Sequence, residues 1–441
     1  MKTTEYAAVT AAHSVDPDRW QTEFSAVIDR IAPRFTRYEP LRHAAELMAG
    51  MVSGLDRKNC WTIAEHRGDA TPDGLQHLLA RAKWDADGVR DDLRDYVVDA
   101  LGDAGAILVV DETGDVKKGT ATVGVQRQYS GTAGRIENSQ VAVYLTYAAP
   151  RGHALIDRAL YLPKSWTEDP ARCQDAGIPH DQSGFATKPA LATTLISRAV
   201  AAKVPAAWVA GDEVYGADPR LRAAIRGHHL GYVLAIAANR RVPTHAGPVR
   251  VDALPALIPA HAWQRHSAGA GAHGPRLYSW AWFRLLGEDD TDTGVHHLLI
   301  RRNDDTGELA YLRCYSPQPV PLRTLVSVAG QRWRIEESFQ SAKGLTGLDQ
   351  HQVRRWASWH RWTTLAMFAH AFLAVATATE RDTTPTPTGL ITLTVNEFRR
   401  LFDALLLTTR HTITSLLAWS RWRRQHQYRA RQSLYRRREN Q

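Results

Sequence analysis

The order of strand-like and helix-like segments between residues 106 and 237 restricts the fold of this chain most. Three segments with the apolar, β-branched and aromatic content of strands come first, at 106–110, 140–147 and 153–162. A helical pattern, a strand, a second helical pattern and another strand follow, at 189–202, 207–210, 219–228 and 232–237. This β-β-β-α-β-α-β order predicts an α/β fold, with a mixed sheet flanked by helices.

Helical spacing of apolar residues dominates on both sides of this region. We predict five segments: a helical N-terminal domain at 1–100, a first part of the core at 101–239, a β-rich insertion at 240–318, the rest of the core at 319–380, and a helical C-terminal region with a basic tail at 390–441. The insertion is predicted from short strand-like pieces among turns, with a flexible-looking Gly/Ala stretch at 268–272. A Thr- and Pro-rich stretch at 381–389 predicts a linker.

Positive charge is concentrated at the C-terminus. The chain has 55 Lys and Arg against 46 Asp and Glu, a net charge of +9. Residues 399–441 carry eleven Arg against Asp403 and Glu439, so the rest of the chain is neutral overall, and residues 1–100 are slightly acidic. Aromatic residues lie among these arginines, a pattern that favours a polyanion such as DNA, although a solvated chain end fits the charge equally well.

Several classes of protein are excluded by what the sequence contains. Cys60, Cys173 and Cys314 are odd in number and far apart, which excludes a disulfide framework and clustered zinc or iron–sulfur ligands and favours a reducing cytoplasm. The first residues lack the pattern of a secretory signal. The uncharged stretch 363–379 contains His370 and is shorter than a membrane span of about 20 apolar residues, so we predict a buried helix. No phosphate loop of the Walker type is present, and no nucleotide cofactor is expected.

Two of the strand-like runs end in an aspartate. Asp111 follows the run 106–110, and Asp212 follows 207–211. Taken alone, each is typical of a turn or a helix cap. Ligands in mixed α/β sheets collect at strand ends, however, and the pair in this strand order indicates a functional site.

A third carboxylate lies within one predicted helix, whose apolar spacing begins at Leu322 and runs to the glycines at 344 and 347. At about 100° per residue, Glu336 shares a face with Arg332 and Lys343, whereas Glu337 points away. A carboxylate between two cations could bind a metal while the cations hold phosphate, and an ordinary surface network of ion pairs is the alternative.

The spacing of Arg332, Glu336 and Lys343 resembles the core of the Tyr-Arg-Glu-Lys signature of DDE transposases of bacterial insertion sequences. Four further blocks resemble, in order, those of the insertion-sequence group seven-oh-one, around Asp111, at 128–131, at 160–163 and around Asp212. The resemblance extends from about residue 41 to about residue 407. Ala329 stands where the signature has Tyr, so no contact of that Tyr is carried over.

The resemblance implies an RNase H-like catalytic fold in which Asp111, Asp212 and Glu336 bind two Mg²⁺ ions, with Mn²⁺ able to substitute. In two-metal sites the ions lie about 4 Å apart and assist the attacking and leaving oxygens of an in-line displacement. It further implies hydrolysis at the element ends, followed by attack of the freed 3′-OH on target DNA. Arg332, Lys343, Lys117 and Lys118 are then expected to contact DNA phosphates.

The partners implied are double-stranded DNA, as terminal inverted repeats bound by residues 1–100 and as target DNA, and a second copy of the chain in a homodimeric synaptic complex. A cytoplasmic, nucleoid-associated protein without a membrane partner is expected. In this scheme Glu112, Asp115, Glu213 and Glu337 are not metal ligands, and their substitution leaves cleavage normal. A domesticated relative that binds DNA without cutting it, and a structure-selective nuclease of the same fold, are the alternatives. The intact acidic set argues against the first, and the sequence does not separate the second.

Overall fold

The computed structural model describes residues 16–131, 134–271, 274–287, 294–384, 386, 391–407 and the single residues Trp419, Arg421, Arg429 and Arg436. The chain divides into two compact units, Met1–Asp92 with Ser341–Gln441, and Leu93–Gln340. The five segments predicted from the sequence, with their boundaries, stay a prediction. Most of the basic tail lies outside the described residues, as do 385 and 387–389 of the predicted linker.

The long helices form in the ranges that the apolar periodicity predicts, and several short helices that it does not predict are also present. In chain order they are α1 Pro17–Ile31, α2 Tyr38–Val52, α3 Cys60–Arg67, α4 Asp73–Ala80, α5 Ala86–Leu101, α6 Lys164–Thr167, α7 Pro170–Ala176, α8 Lys188–Ala201, α9 Glu213–Gly216, α10 Pro219–Gly227, α11 Leu322–Gln331, α12 Trp333–Thr346, α13 Trp356–Thr383 and α14 Val395–Phe402. A π-helical turn, Asp403–Leu407, follows α14.

The strands all belong to the second unit. They are β1 Ile107–Val116, β2 Gln126–Ser130, β3 Arg135–Ala149, β4 Gly152–Leu160, β5 Trp208–Gly211, β6 Gly231–Ile236, β7 Arg241–Thr244, β8 Gly247–Arg250, β9 Gln264–Gly271, β10 Gly274–Leu285, β11 Val295–Arg302 and β12 Leu309–Ser316.

In the first unit, the apolar face of α1 packs against helices from the other end of the chain. The Trp20 ring lies 4.8 Å from Phe398, and the Phe24 ring lies 5.1 Å from Phe372, both edge to face. The buried carboxylate of Glu380 accepts a hydrogen bond from the Trp20 indole and pairs with Arg19. These contacts place α13 in the core of the unit.

Helix α13 contains the stretch 363–379. Among the described helices it alone is long and apolar enough to cross a membrane, and 94% of its most apolar window is buried. A core helix passes the same test because its side chains face other helices on all sides. The predicted buried helix is therefore confirmed.

In the second unit, one large sheet has the strand order β2-β3-β1-β5-β6-β12-β11-β10-β9, and β4 pairs with β3. Strands β1, β5 and β6 are parallel to one another, whereas β3 is antiparallel to β1 and β12 is antiparallel to β6. The predicted mixed sheet flanked by helices is thus confirmed.

The segment 240–318 is rich in strands, but four of them continue this sheet beyond β6. Tyr311 of β12 pairs with Ile236 of β6, and β11, β10 and β9 follow outwards. Only β7 and β8, among the described strands, form a separate hairpin. The residues up to Gly271 in the Gly/Ala stretch form the end of β9, because Ala270 and Gly271 pair with the start of β10.

Strand β1 is longer than its apolar run predicts. Its parallel pairing with β5 ends at Val110 opposite Gly211, but its antiparallel pairing with β3 continues to Val116 opposite Ser139. Asp111 therefore lies within a strand, at the point where one neighbouring strand stops. An apolar run indicates burial on both faces, and it cannot show how far pairing with a distant strand extends.

Candidate active site

Asp111 and Asp212 come together at the point where the parallel pairing of β1 with β5 ends. Each directly follows one member of the pair Val110 and Gly211, so the register sets the two carboxylates side by side. The pKa of Asp111 is raised to about 7, mainly by burial and next by the negative charge of Asp212. Burial also raises the pKa of Asp212, with the charge of Glu112 adding to the effect. Two carboxylates that lie this close together and are buried away from water favour a bound cation.

Asp212 is also the N-cap of α9. Its side chain accepts a hydrogen bond from the backbone N–H of Val214, at 2.9 Å. The cap interpretation of this aspartate is thus confirmed, because one carboxylate oxygen caps the helix, and its assignment to a functional site stays a prediction.

Arg332 joins Glu336 to this pair. Helix α11 ends at Gln331 and α12 begins at Trp333, so Arg332 lies at the break between two helices that the sequence predicts as one. Its Nη2 lies 3.2 Å from Glu336 Oε1, and its Nη1 lies 4.0 Å from Asp111 Oδ2. Burial raises the pKa of Glu336, and the charge of Arg332 partly offsets this rise. The Arg332 guanidinium therefore connects Glu336 to Asp111.

Arg276 is a neighbour of the site that sequence reasoning missed. Its Nη2 donates hydrogen bonds to the carbonyl oxygens of Ala268, at 2.9 Å, and Gly330, at 3.0 Å. A Cβ at Gly330 would overlap the Ala268 carbonyl, so α11 approaches β9 closely at this point. The positive charge of Arg276 lowers the pKa of Glu336. No local pattern relates this residue of β10 to the acids.

Glu112 lies on the opposite face of β1 from Asp111, as successive residues of a strand do. Its Oε1 accepts a hydrogen bond from Lys188 Nζ and its Oε2 accepts one from the Tyr215 hydroxyl, both at 2.6 Å. Sequence reasoning missed both partners. One local signal was present, since Lys188 is the first residue of α8 and a cation there opposes the helix dipole unless an anion is near.

Glu337 points away from the site, as the helical periodicity predicts. Its Oε2 lies 3.3 Å from His153 Nε2 and accepts a hydrogen bond from Arg334 at 2.8 Å. The hydrogen bond with His153 contributes most to lowering the pKa of Glu337 to about 2. This carboxylate is engaged in fastening α12 to β4.

The substitution Glu337→Gln is expected to leave cleavage normal and to reduce stability by less than about 1 kcal/mol, because partly exposed ion pairs contribute little. With a lowered pKa, the charged pair stabilises the fold above the ordinary pKa of 4.5 and loses that effect as the pH falls toward 2. Thermal unfolding of both forms between pH 3 and pH 7 measures the difference. A cleavage defect in this variant would contradict the assignment of Glu337 outside the site.

Of the three lysines predicted to bind phosphate, two follow the end of β1 and one lies on α12. Lys117 and Lys118 follow the end of β1, where the Lys117 backbone N–H donates to the Asn138 carbonyl at 2.9 Å. Asn138 in turn donates from its side chain to the carbonyl of Lys117, at 2.7 Å, which holds the turn. Lys343 lies on α12, about two turns beyond Glu336. Their predicted contact with DNA stays a prediction.

The chemistry of the donor set fits a divalent metal. All three acids offer carboxylate oxygens, the hard ligands that Mg²⁺ and Mn²⁺ accept. In the part of the chain that the structure describes, no three His, Cys, Asp or Glu side chains are grouped as a metal cluster. The Arg332 guanidinium lies instead between Asp111 and Glu336.

Comparison with known proteins identifies the family. A family model for the DDE superfamily endonucleases matches residues 30–255, about half of the chain. The chain belongs to the DDE superfamily of endonucleases. The matched part of the chain includes Asp111 and Asp212 and ends before Glu336. Endonucleases of this superfamily generally use divalent metal ions, which carboxylate oxygens fit.

The chain is also similar to a probable transposase for insertion sequence element IS701 from Microchaete diplosiphon, with 31% identity over 199 residues. The match covers 44% of this chain and spans about half the length of that relative, 49%. The resemblance to DDE transposases of this group is thereby confirmed. The chain is also similar to a cryo-EM structure of piggyBac transposase in a synaptic complex with hairpin DNA. The match covers 90% of this chain and 81% of the piggyBac chain, at 12% identity and a TM-score of 0.42.

Proposed function

We propose that this endonuclease is a DNA transposase that cleaves phosphodiester bonds at element ends and joins the freed 3′-OH to target DNA. One observation carries the proposal: Asp111 and Asp212 are neighbours where the parallel pairing of β1 and β5 ends, and Arg332 links Glu336 to Asp111. Proteins that only bind DNA contact phosphates with cations, and a concentration of carboxylates would repel the polyanion. The acids therefore favour chemistry over binding alone.

We propose further that the catalytic fold is RNase H-like. The supporting feature is the central strand order β3-β1-β5-β6, with β3 antiparallel and the other three parallel. Such a sheet holds the two aspartates on rigid neighbouring strands, and the helix break at Arg332 supplies the third acid from a distant part of the chain. In this fold the acids depend on tertiary structure for their alignment.

Asp111, Asp212 and Glu336 would hold the divalent metal, proposed to be two Mg²⁺ ions with Mn²⁺ able to substitute. Such ions supply an activated attacking oxygen and stabilise the leaving oxygen. Arg332 now neutralises Asp111 and Glu336, so metal binding would release its guanidinium. A planar guanidinium suits bidentate contact with phosphate, and Arg332, Lys343, Lys117 and Lys118 would then hold the DNA backbone.

The proposed partners are the terminal inverted repeats, target DNA and a second copy of the chain. Residues 1–100 and the basic C-terminal residues are the proposed contacts with the element ends, since eleven of the arginines lie at 399–441. The proposed location is the cytoplasm, at the nucleoid.

The test is cleavage of a supercoiled plasmid that carries the flanking ends of the gene. Mg²⁺-dependent release of the end-bounded fragment is expected for the wild type and for Glu337→Gln, and its absence is expected in EDTA and for Glu336→Gln. Both variants remove one carboxylate from the same helix. A difference between their cleavage rates is therefore due to the position of the carboxylate and not to the loss of one negative charge. Specific binding to the ends without any cutting by the wild type would replace the proposal with a non-cleaving DNA-binding regulator.

A further inference from the structure

We propose that Glu112, Tyr215 and Lys188 form a positioning network that sets the carboxylate of Asp212 relative to that of Asp111. The inference rests on the proposed function, because it concerns the alignment of two acids assigned there to metal binding. Glu112 directly follows Asp111, and Tyr215 lies in the helical turn that Asp212 caps. The hydrogen bond between Glu112 and Tyr215 therefore connects the two chain segments that carry the acids.

Helix α9 cannot hold its own orientation. It is four residues long, a single turn, and the first turn of a helix is unfavourable when it stands alone. Asp212 is its N-cap, so any rotation or lifting of this turn moves the Asp212 carboxylate with it. The direction of that carboxylate must then depend on what holds α9 against the sheet.

Two of the contacts that hold the turn reach the sheet. A Cβ at Gly216 would overlap the carbonyl oxygen of Ala235, so the end of α9 lies directly on the backbone of β6. Tyr215 is completely buried, and its hydroxyl donates to Glu112 Oε2 at 2.6 Å. The first contact fixes α9 to β6, and the second fixes it to β1, the strand of Asp111.

Lys188 holds Glu112 in place together with Tyr215. The Glu112 side chain is only 17% exposed, and Lys188 Nζ donates to its Oε1 at 2.6 Å. Because the Tyr215 hydroxyl donates to Oε2, each carboxylate oxygen has a partner, and Glu112 is held by two donors from two helices. Glu112 is thus unsuited to be a metal ligand itself, but its substitution should not be silent.

The experiment measures Mn²⁺ binding to the full chain by electron paramagnetic resonance, together with thermal unfolding and the Mg²⁺ dependence of cleavage. Tyr215→Phe removes one hydroxyl and is expected to weaken Mn²⁺ binding by about 10–100-fold, the usual effect of losing a group that orients a metal ligand. Excess Mg²⁺ should restore much of the cleavage. Lys188→Met should reproduce the defect, and Lys188→Arg, which keeps the charge and a donor, should restore Mn²⁺ affinity.

Tyr147→Phe is the matched control. Tyr147 is also completely buried in the second unit, and its hydroxyl donates to the Pro205 carbonyl at 2.9 Å, without contact to Glu112. Tyr147→Phe also removes the acceptor of the Asp103 N–H, so it should lose at least as much stability as Tyr215→Phe, and only Tyr215→Phe should lose metal affinity. Equal losses of Mn²⁺ affinity in Tyr215→Phe and Tyr147→Phe would overturn the positioning role. Wild-type Mn²⁺ affinity in Tyr215→Phe would also overturn it. In either case, cleavage by the wild type would leave the proposed function standing. If the wild type does not cleave DNA and its Mn²⁺ binding is not changed by Asp111→Asn, both the positioning role and the proposed function would be overturned.

Discussion

Replacement of Asp111 or Asp212 by Asn is expected to lower the rate of strand cleavage by roughly 10⁴-fold or more, the scale seen when one member of a catalytic set is lost. Each substitution keeps the size of the side chain and removes the charge of one of two neighbouring carboxylates. Binding to the element ends should stay within about twofold of wild type, because phosphate contacts by cations supply that affinity. Single-turnover cleavage of an end-bearing DNA duplex, with a gel-shift titration of the same DNA, measures both quantities.

The double variant Asp111→Asn with Asp212→Asn should be no slower than either single variant, because groups that act as a unit are not additive. Glu213→Gln is the control, since this exposed acid directly follows Asp212 and lies outside the set. Residual Mg²⁺-dependent cleavage within about tenfold of wild type in either Asn variant would remove that aspartate from the catalytic set.

Asp111→Asn is expected to stabilise the metal-free protein at pH 8. The pKa of Asp111 is about 7 in the fold against an ordinary value of 3.8, so the folded chain binds a proton that the unfolded chain has released. Stability therefore falls as the pH rises from about 4 to about 7, by at most about 4 kcal/mol. Asn avoids this cost but loses the attraction of Arg332, which leaves a gain of about 2 kcal/mol, or roughly 4–8 °C in Tm for a unit of this size.

Calorimetry in EDTA at pH 5 and pH 8 checks this result. The gain in Tm should be large at pH 8 and much smaller at pH 5, where the Asp111 carboxyl is already neutral. Added Mg²⁺ should raise the Tm of the wild type at pH 8 and leave that of Asp111→Asn nearly unchanged, because a ligand stabilises only the state that binds it. A lower Tm for the Asn variant at pH 8 would show that burial of the Asp111 charge carries no cost.

Local sequence patterns were sufficient for the order of the predicted strands and for the position of the first acid pair, but they missed β2, which lies between the first two predicted strands. The apolar runs before Asp111 and Asp212 define buried strands, and the parallel pairing of these strands brings their carboxyl ends to one edge. Helical periodicity likewise separated Glu336 from Glu337. These features depend on residues close together in the sequence, which is why a pattern could reveal them.

Features that depend on distant pairing were not accessible in this way. Arg276, Lys188 and Tyr215 reach the site or its surroundings from separate elements, and no spacing relates them to the acids they contact or influence. The continuation of the sheet from β6 to β12 joins residues more than 70 positions apart. The break at Arg332 was also missed, because its apolar spacing continues on both sides while the Arg332 side chain turns toward Glu336 and Asp111.

The first unit draws its helices from both ends of the chain, and this has a consequence for synthesis on the ribosome. Trp20 and Glu380, which are hydrogen-bonded, are 360 residues apart. At about 5–20 residues per second, a nascent α1 waits roughly 20–70 s before its partners in α13 and α14 are made. During that time Trp20 and Phe24 have no native apolar surface to cover them. A ribosome that stops early therefore releases a chain whose first unit cannot close, and translation to the last helices becomes a condition for a folded enzyme.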